Sequence, residues 1–120
     1  LINLIIPVGE HVHATPNGFM EYSNEESRKM RASAAVVHSI SLYTAGEYDD
    51  FAWPRQSDAL PSYFNPARIK PAAEAFSDYD SSFRYVPGQL IKPKEPFAMK
   101  NGTCLSGIHF FLNVRDALEY

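Results

Sequence analysis

ASAAVVHSISLY, residues 32–43, is the stretch whose reading decides the fold. Val36, Val37 and Ile40 branch at Cβ, which stiffens the side chain against a helical turn and suits a pleated strand. A strict period of two places Val36, His38, Ile40 and Leu42 on one face and Ala35, Val37, Ser39, Ser41 and Tyr43 on the other. This predicts a strand, the best supported in the chain, with His38 a satisfied core or sheet-edge histidine.

Residues 1–6, LINLII, form an apolar run broken only by Asn3 and closed by Pro7, the pattern of a strand covered on both faces. Between these two segments the chain turns polar, and TPNG at residues 15–18 is a turn signal. Ser23 and Glu26 stand at capping-box spacing, which predicts a short helical turn over residues 23–30. Residues 82–86 and 89–92 read as two short strands joined through Pro87 and Gly88, hence a hairpin. KNGT at 100–103 turns the chain again, residues 107–111 are strand-like, and Asn113 is a suitable N-cap for a closing helix with Asp116 in its first turn.

Residues 44–82 are the least regular part, with prolines at 54, 61, 66 and 71 that forbid a long ladder or helix. Phe51, Trp53, Tyr63, Phe64 and Phe76 make the segment too apolar for a free linker, so it is expected to wrap the sheet or grip a neighbour. Residues 72–76 are expected to form one helical turn.

The 120 residues suit one domain, and eight Phe, seven Tyr and one Trp supply large side chains for its core. A formal charge of −3 argues against a surface devoted to phosphates of nucleic acid or of an anionic membrane. The one dense basic group, Arg28, Lys29 and Arg31, follows Glu25 and Glu26, which partly cancel its field. A single cysteine, Cys104, cannot form an internal disulfide, which favours an intracellular setting, cytoplasmic or within a macromolecular assembly. No apolar run is long enough to cross a bilayer as a helix.

Candidate chemistry is sparse. Cys104 and His109 lie five apart and leave opposite faces of a straight strand, so a thiolate–imidazole pair would need a bend near Ser106 and Gly107. His11 and His13 have the spacing of a two-histidine metal clip, with Glu10, Cys104 or His109 the only evident further ligands. The glycines are isolated turn residues without a phosphate-binding pattern. Neither a catalytic set, nor a metal site, nor a cofactor is called for.

Several of these residues also carry a resemblance. Leu4, Ile6 and Pro7, then Arg28, Lys29 and Arg31, then Tyr85 and Gly88, and finally Cys104, Gly107, Ile108, His109, Phe110, Phe111, Ala117 and Tyr120 fit a spaced pattern. In this the chain resembles an uncharacterised domain found beside pentapeptide repeats in viral and microbial proteins, whose closing motif is C-x-x-G-I-H-F-F. The likeness leaves out residues 44–78, which then look like an insertion, and Met30 stands where that family usually has a cysteine. It implies no known activity. The segment from Gly107 to Tyr120 is also similar to the GIYF strand and following helix of ADP-ribosyltransferase folds. That likeness implies an NAD cleft at His109 and Tyr120, without the glutamate that such enzymes carry on a later strand.

The expected architecture is a single α+β domain over residues 1–120, part of a longer protein. It has a mainly antiparallel, twisted sheet of about five strands, a C-terminal helix and a long proline- and aromatic-rich excursion. The expected function is non-catalytic binding or scaffolding among other subunits or domains of the parent protein. Arg28, Lys29, Arg31, Trp53, Tyr63 and Phe64 would make the contacts, as an anion or partner surface. Cys104, Gly107, His109, Phe110 and Tyr120 would form a structural motif, with His109 packed inside between sheet and helix. An NAD-binding, incomplete transferase domain is the alternative.

Overall fold

A computed structural model describes residues 1–14, 29–43, 69–101, 105–112 and 114–119. Nine strands run through them: β1 (Ile2–Ile5), β2 (Val12–His13), β3 (Met30–Ala32), β4 (Ala35–Tyr43), β5 (Ile69–Pro71), β6 (Ala75–Phe76), β7 (Arg84–Tyr85), β8 (Leu90–Ile91) and β9 (Ile108–Phe110). All pairings are antiparallel, in three small sheets. In the largest, β4 pairs with β1 along one edge and with β5 and β8 along the other; β2–β3–β9 form a second sheet and β6–β7 a third.

The α+β assignment is therefore corrected. The regular structure of the described residues is mostly strand, divided among three sheets instead of one sheet of about five strands. Among the described residues helix is confined to the six residues Val114–Glu119, less than two turns, which is too short to cover a sheet as a layer. The helical turn expected over residues 72–76 is also absent, since Ala75 and Phe76 form β6. The predicted 82–92 hairpin does not close either: β7 pairs with β6 and β8 with β4. Pro87 and Gly88 do turn the chain, with Gln89 N–H donating to Val86 O at 3.1 Å and Gly88 at φ 84°, the left-handed third position of a type II turn. That turn delivers the chain to the edge of β4, where Gly88 N–H donates to Val37 O at 2.7 Å.

β1 is an edge strand exposed on alternate residues, so the prediction that both its faces are covered fails. Its partner β4 is the long strand expected, with a different phase. Asn3 pairs with Ser39 and Leu4 with Val37, so His38 is an extra residue opposite none: a β-bulge. One added residue reverses the alternation. Ala35 and Val37 point inward before it and Ile40 inward after it, all three buried, whereas uninterrupted alternation would have put Ile40 on the opposite side. His38 is exposed at the bulge, not in the core.

The core consists of Ala35, Val37, Ile40 and Ile91 from the largest sheet and Ile108 from β9, with Ile2, Leu4, Ile6, Phe83 and Tyr85 packed around it. Ala32, Ala34 and Ala35 are all wholly buried where the chain passes from β3 to β4. Methyl groups let the two sheets close at this corner. Ser33 ties the corner to the segment before β2: its N–H donates to His11 O at 2.9 Å, its Oγ accepts from His11 N–H at 2.9 Å, and its hydroxyl donates to the Glu10 carboxylate.

The bulge makes a direct prediction for urea unfolding. His38→Ala should change stability by no more than about 0.5 kcal/mol, as exposed substitutions usually do. Deleting residue 38 brings Val37 and Ile40 two positions apart on an unbroken strand, which keeps both on the inward face, and should preserve cooperative unfolding. A deletion variant that loses cooperative unfolding contradicts the bulge, since only a strand that is regular through residue 38 is put out of phase by the deletion.

Candidate functional site

The basic motif lies on β3, and β3 is covered on both faces: Met30 is 2% exposed, Arg31 0% and Ala32 0%. Residues directly paired across antiparallel strands share a face. Ala32 pairs with Val12 and Ile108, which puts that row on the core side, while Arg31 pairs with His13 on β2 and His109 on β9 and projects to the other side. There it meets the segment that leads into β9.

Three backbone carbonyls of this segment converge on the Arg31 guanidinium. Nη1 donates to Ala98 O at 3.0 Å and to Ser106 O at 2.8 Å, and Nη2 donates to Lys100 O at 2.9 Å. The loop is closed on itself by Ala98 N–H donating to Ser106 O at 3.2 Å and by the Ser106 hydroxyl donating to Glu95 O at 2.7 Å. The Phe97 ring lies 5.0 Å from the guanidinium carbon, within cation–π range, and stacks on the His11 imidazole at 6.2 Å with 13° between planes.

A planar fork of donors is suited to this task because it addresses several oxygens at fixed angles, which one ammonium does not. Desolvation lowers the Arg31 pKa from its ordinary value, but a guanidinium remains charged at neutral pH. The carbonyl dipoles and the ring face replace the water that burial removes. Gly107 makes the close approach possible: a Cβ there would stand 2.8 Å from Arg31 Cβ and 3.3 Å from the Phe97 ring.

Lys29 and Asp116 are buried as well, 5% and 3% exposed. His109 is exposed, with Ile108 buried and Phe110 half-buried beside it. The imidazole is thus not the packed tie between sheet and helix that the sequence suggested; Arg31 and Gly107 form the internal contact. Arg28, Trp53, Tyr63, Phe64, Cys104 and Tyr120 lie outside the described residues, as do the predicted N-cap Asn113 and most of the helical turn over residues 23–30. His13 and His109 stand on the same row but two strands apart, about 10 Å at normal strand spacing, with Arg31 between them. Among the described residues no group of three or more His, Cys, Asp or Glu is placed to hold a metal.

The role of Phe97 and of the three carbonyls was missed in the sequence. The available signal was KPKEPFAMKNGT, residues 92–103, which lacks strand or helix periodicity and so needs donors from elsewhere.

Away from this centre, charged pairs brace the segment around β6 and β7. Arg84 contacts the Glu74 carboxylate from Nη2 at 2.5 Å and Nε at 2.7 Å. Lys94 reaches Asp80 at 2.5 Å, and Asp80 also accepts from the Ser82 hydroxyl at 2.6 Å and Ser82 N–H at 3.0 Å. The Lys94 hydrogen bond first, then those from Ser82, hold the Asp80 carboxyl down at about 2.

Residues 60–117 match a family of unknown function (DUF5758). The matched span takes in β5 to β9 and begins inside the segment read as an insertion; β5 and β6, within that segment, are members of the sheets. No curated protein and no solved structure matches the chain. An uncharacterised domain is what these comparisons support, and nothing in them links the chain to pentapeptide repeats, to ADP-ribosyltransferase folds or to NAD. No helix among the described residues is long and apolar enough to cross a membrane.

Two predictions follow from this geometry. Arg31→Met strands three carbonyls and should lower the unfolding free energy by about 2–4 kcal/mol, measured by urea titration at pH 7, with Arg31→Lys recovering only a small part. Full recovery by lysine would show that charge alone matters. For Asp80 the folded carboxyl titrates below its ordinary 3.8, so its contribution is complete above that value and is lost as pH falls toward about 2. The stability deficit of Asp80→Asn should accordingly shrink between pH 4 and pH 2 and vanish below.

Proposed function

We propose that this chain is a non-catalytic binding or scaffolding domain that works inside a larger, intracellular protein or assembly, contacting other subunits or domains of that parent. The observation that carries the reading is a row of apolar side chains on the outer face of the largest sheet. Val36 on β4 pairs with Ile5 on β1 and with Leu90 on β8, so the three share the face opposite Val37. Ile5 is 52% exposed and Leu90 50%. Apolar residues aligned across three strands form a contiguous surface, which favours protein contact more than scattered exposed residues do.

The single cysteine and the overall acidity favour the intracellular, protein-directed version of this reading over a disulfide-stapled or nucleic-acid-directed one. Trp53, Tyr63, Phe64 and Arg28 remain the proposed contacts from the sequence. The buried cations Lys29 and Arg31 support the scaffold reading differently, as residues that shape the domain.

The test uses the chain in its parent protein. A photo-reactive amino acid at Leu90 should cross-link to another domain or subunit, and Ile5→Lys with Val36→Lys should abolish that cross-link while leaving the circular dichroism spectrum unchanged. Cross-linking that stays within the sheet, or that persists undiminished in the lysine variant, would remove the reading.

A further inference from the structure

We infer that Asn101 is a site of spontaneous deamidation, and that its conversion loosens the Arg31 anchor. Asn101 is exposed in a bend, it is followed in the chain by Gly102, and among the described residues no hydrogen bond engages its amide. Its predecessor, Lys100, supplies one of the three carbonyls that hold the guanidinium. A chemically labile side chain thus sits one peptide unit from the contact that organises the loop.

The chemistry is self-contained. The Gly102 peptide nitrogen gives its proton to solvent base and attacks Asn101 Cγ; the new C–N bond closes a five-membered imide and ammonia leaves. Water then opens the imide at either carbonyl. Opening at the side-chain carbonyl yields aspartate, and opening at the main-chain carbonyl yields isoaspartate, in which the backbone runs through Cβ and is one atom longer. Glycine favours the attack because no Cβ shields its nitrogen. No oxidant, enzyme or cofactor is required.

The consequence follows from the hydrogen bonds. An added backbone atom at residue 101 shifts the chain between Lys100 O and Ser106 O, which are bound at 2.9 Å and 2.8 Å by the two guanidinium nitrogens. A fixed donor fork cannot follow both. Asn3 supplies an internal control: its amide donates to Ser39 Oγ at 2.9 Å within a strand, and the bulky Leu4 follows it.

The experiment is to age the purified protein at pH 8.5 and 37 °C, map aspartate and isoaspartate by peptide mass spectrometry with isoaspartyl methyltransferase labelling, and record thermal unfolding. Conversion at Asn101 should be several-fold faster than at Asn3, with a Tm that falls as the isoaspartate fraction at residue 101 rises. Asn101→Gln should stop the conversion and most of the fall. Site-resolved mapping separates residue 101 from the other Asn-Gly pair, Asn17–Gly18. Conversion at Asn101 no faster than at Asn3 overturns the site; conversion with an unchanged Tm, or an equal fall in Asn101→Gln, overturns the coupling to Arg31.

Discussion

A buried guanidinium bound to three main-chain oxygens is the contact on which the C-terminal half of this protein depends. The described residues between β8 and β9 have no ladder of their own, and their carbonyls would otherwise need water. Arg31 supplies donors from the middle of a strand, so one side chain closes the loop, seats Phe97 against its own plane and aligns β9 for pairing. The requirement is mutual, because a cation withdrawn from solvent is tolerated only where oriented dipoles replace its hydration. Gly107 completes the arrangement by leaving the space that a methyl group would occupy.

The second constraint is the parity of β4. A strand shared by three partners must keep one face apolar along its length, and the bulge at His38 achieves this where the alternation of residues would not. Alanines at the β3–β4 corner then allow the second sheet to approach, so that Ile108 joins the core of the first. The arginine loop and the alanine corner act from opposite faces of β3. Together they explain why a strand of three residues is buried throughout.

Much of the strand content was legible in the sequence because β-branching and alternation act locally. β1, β4, β9 and the Pro87–Gly88 turn were all visible for that reason. The failures share a different cause. A bulge is invisible to a period-two reading because it arises from the register of a partner strand, and pairing of β7 with β6 instead of β8 is decided by tertiary packing, not by the turn between them. The candidate site was half legible: Arg31 and Gly107 were singled out, but as a contact residue and as part of a motif centred on His109. A basic residue next to a polar run reads as solvated until the carbonyls that surround it are known, and those come from residues 67 to 75 positions away.

The most direct test of the central contact is nitrogen-detected NMR of the arginine guanidinium groups in the intact protein. Bound to three carbonyls and stacked on Phe97, the Arg31 group should show separate Nη1 and Nη2 signals, slow rotation and slow hydrogen exchange, in contrast to Arg84, whose side chain is 58% exposed. A single averaged, rapidly exchanging Arg31 signal would contradict the account, since a guanidinium free to rotate cannot be the element that fixes the loop.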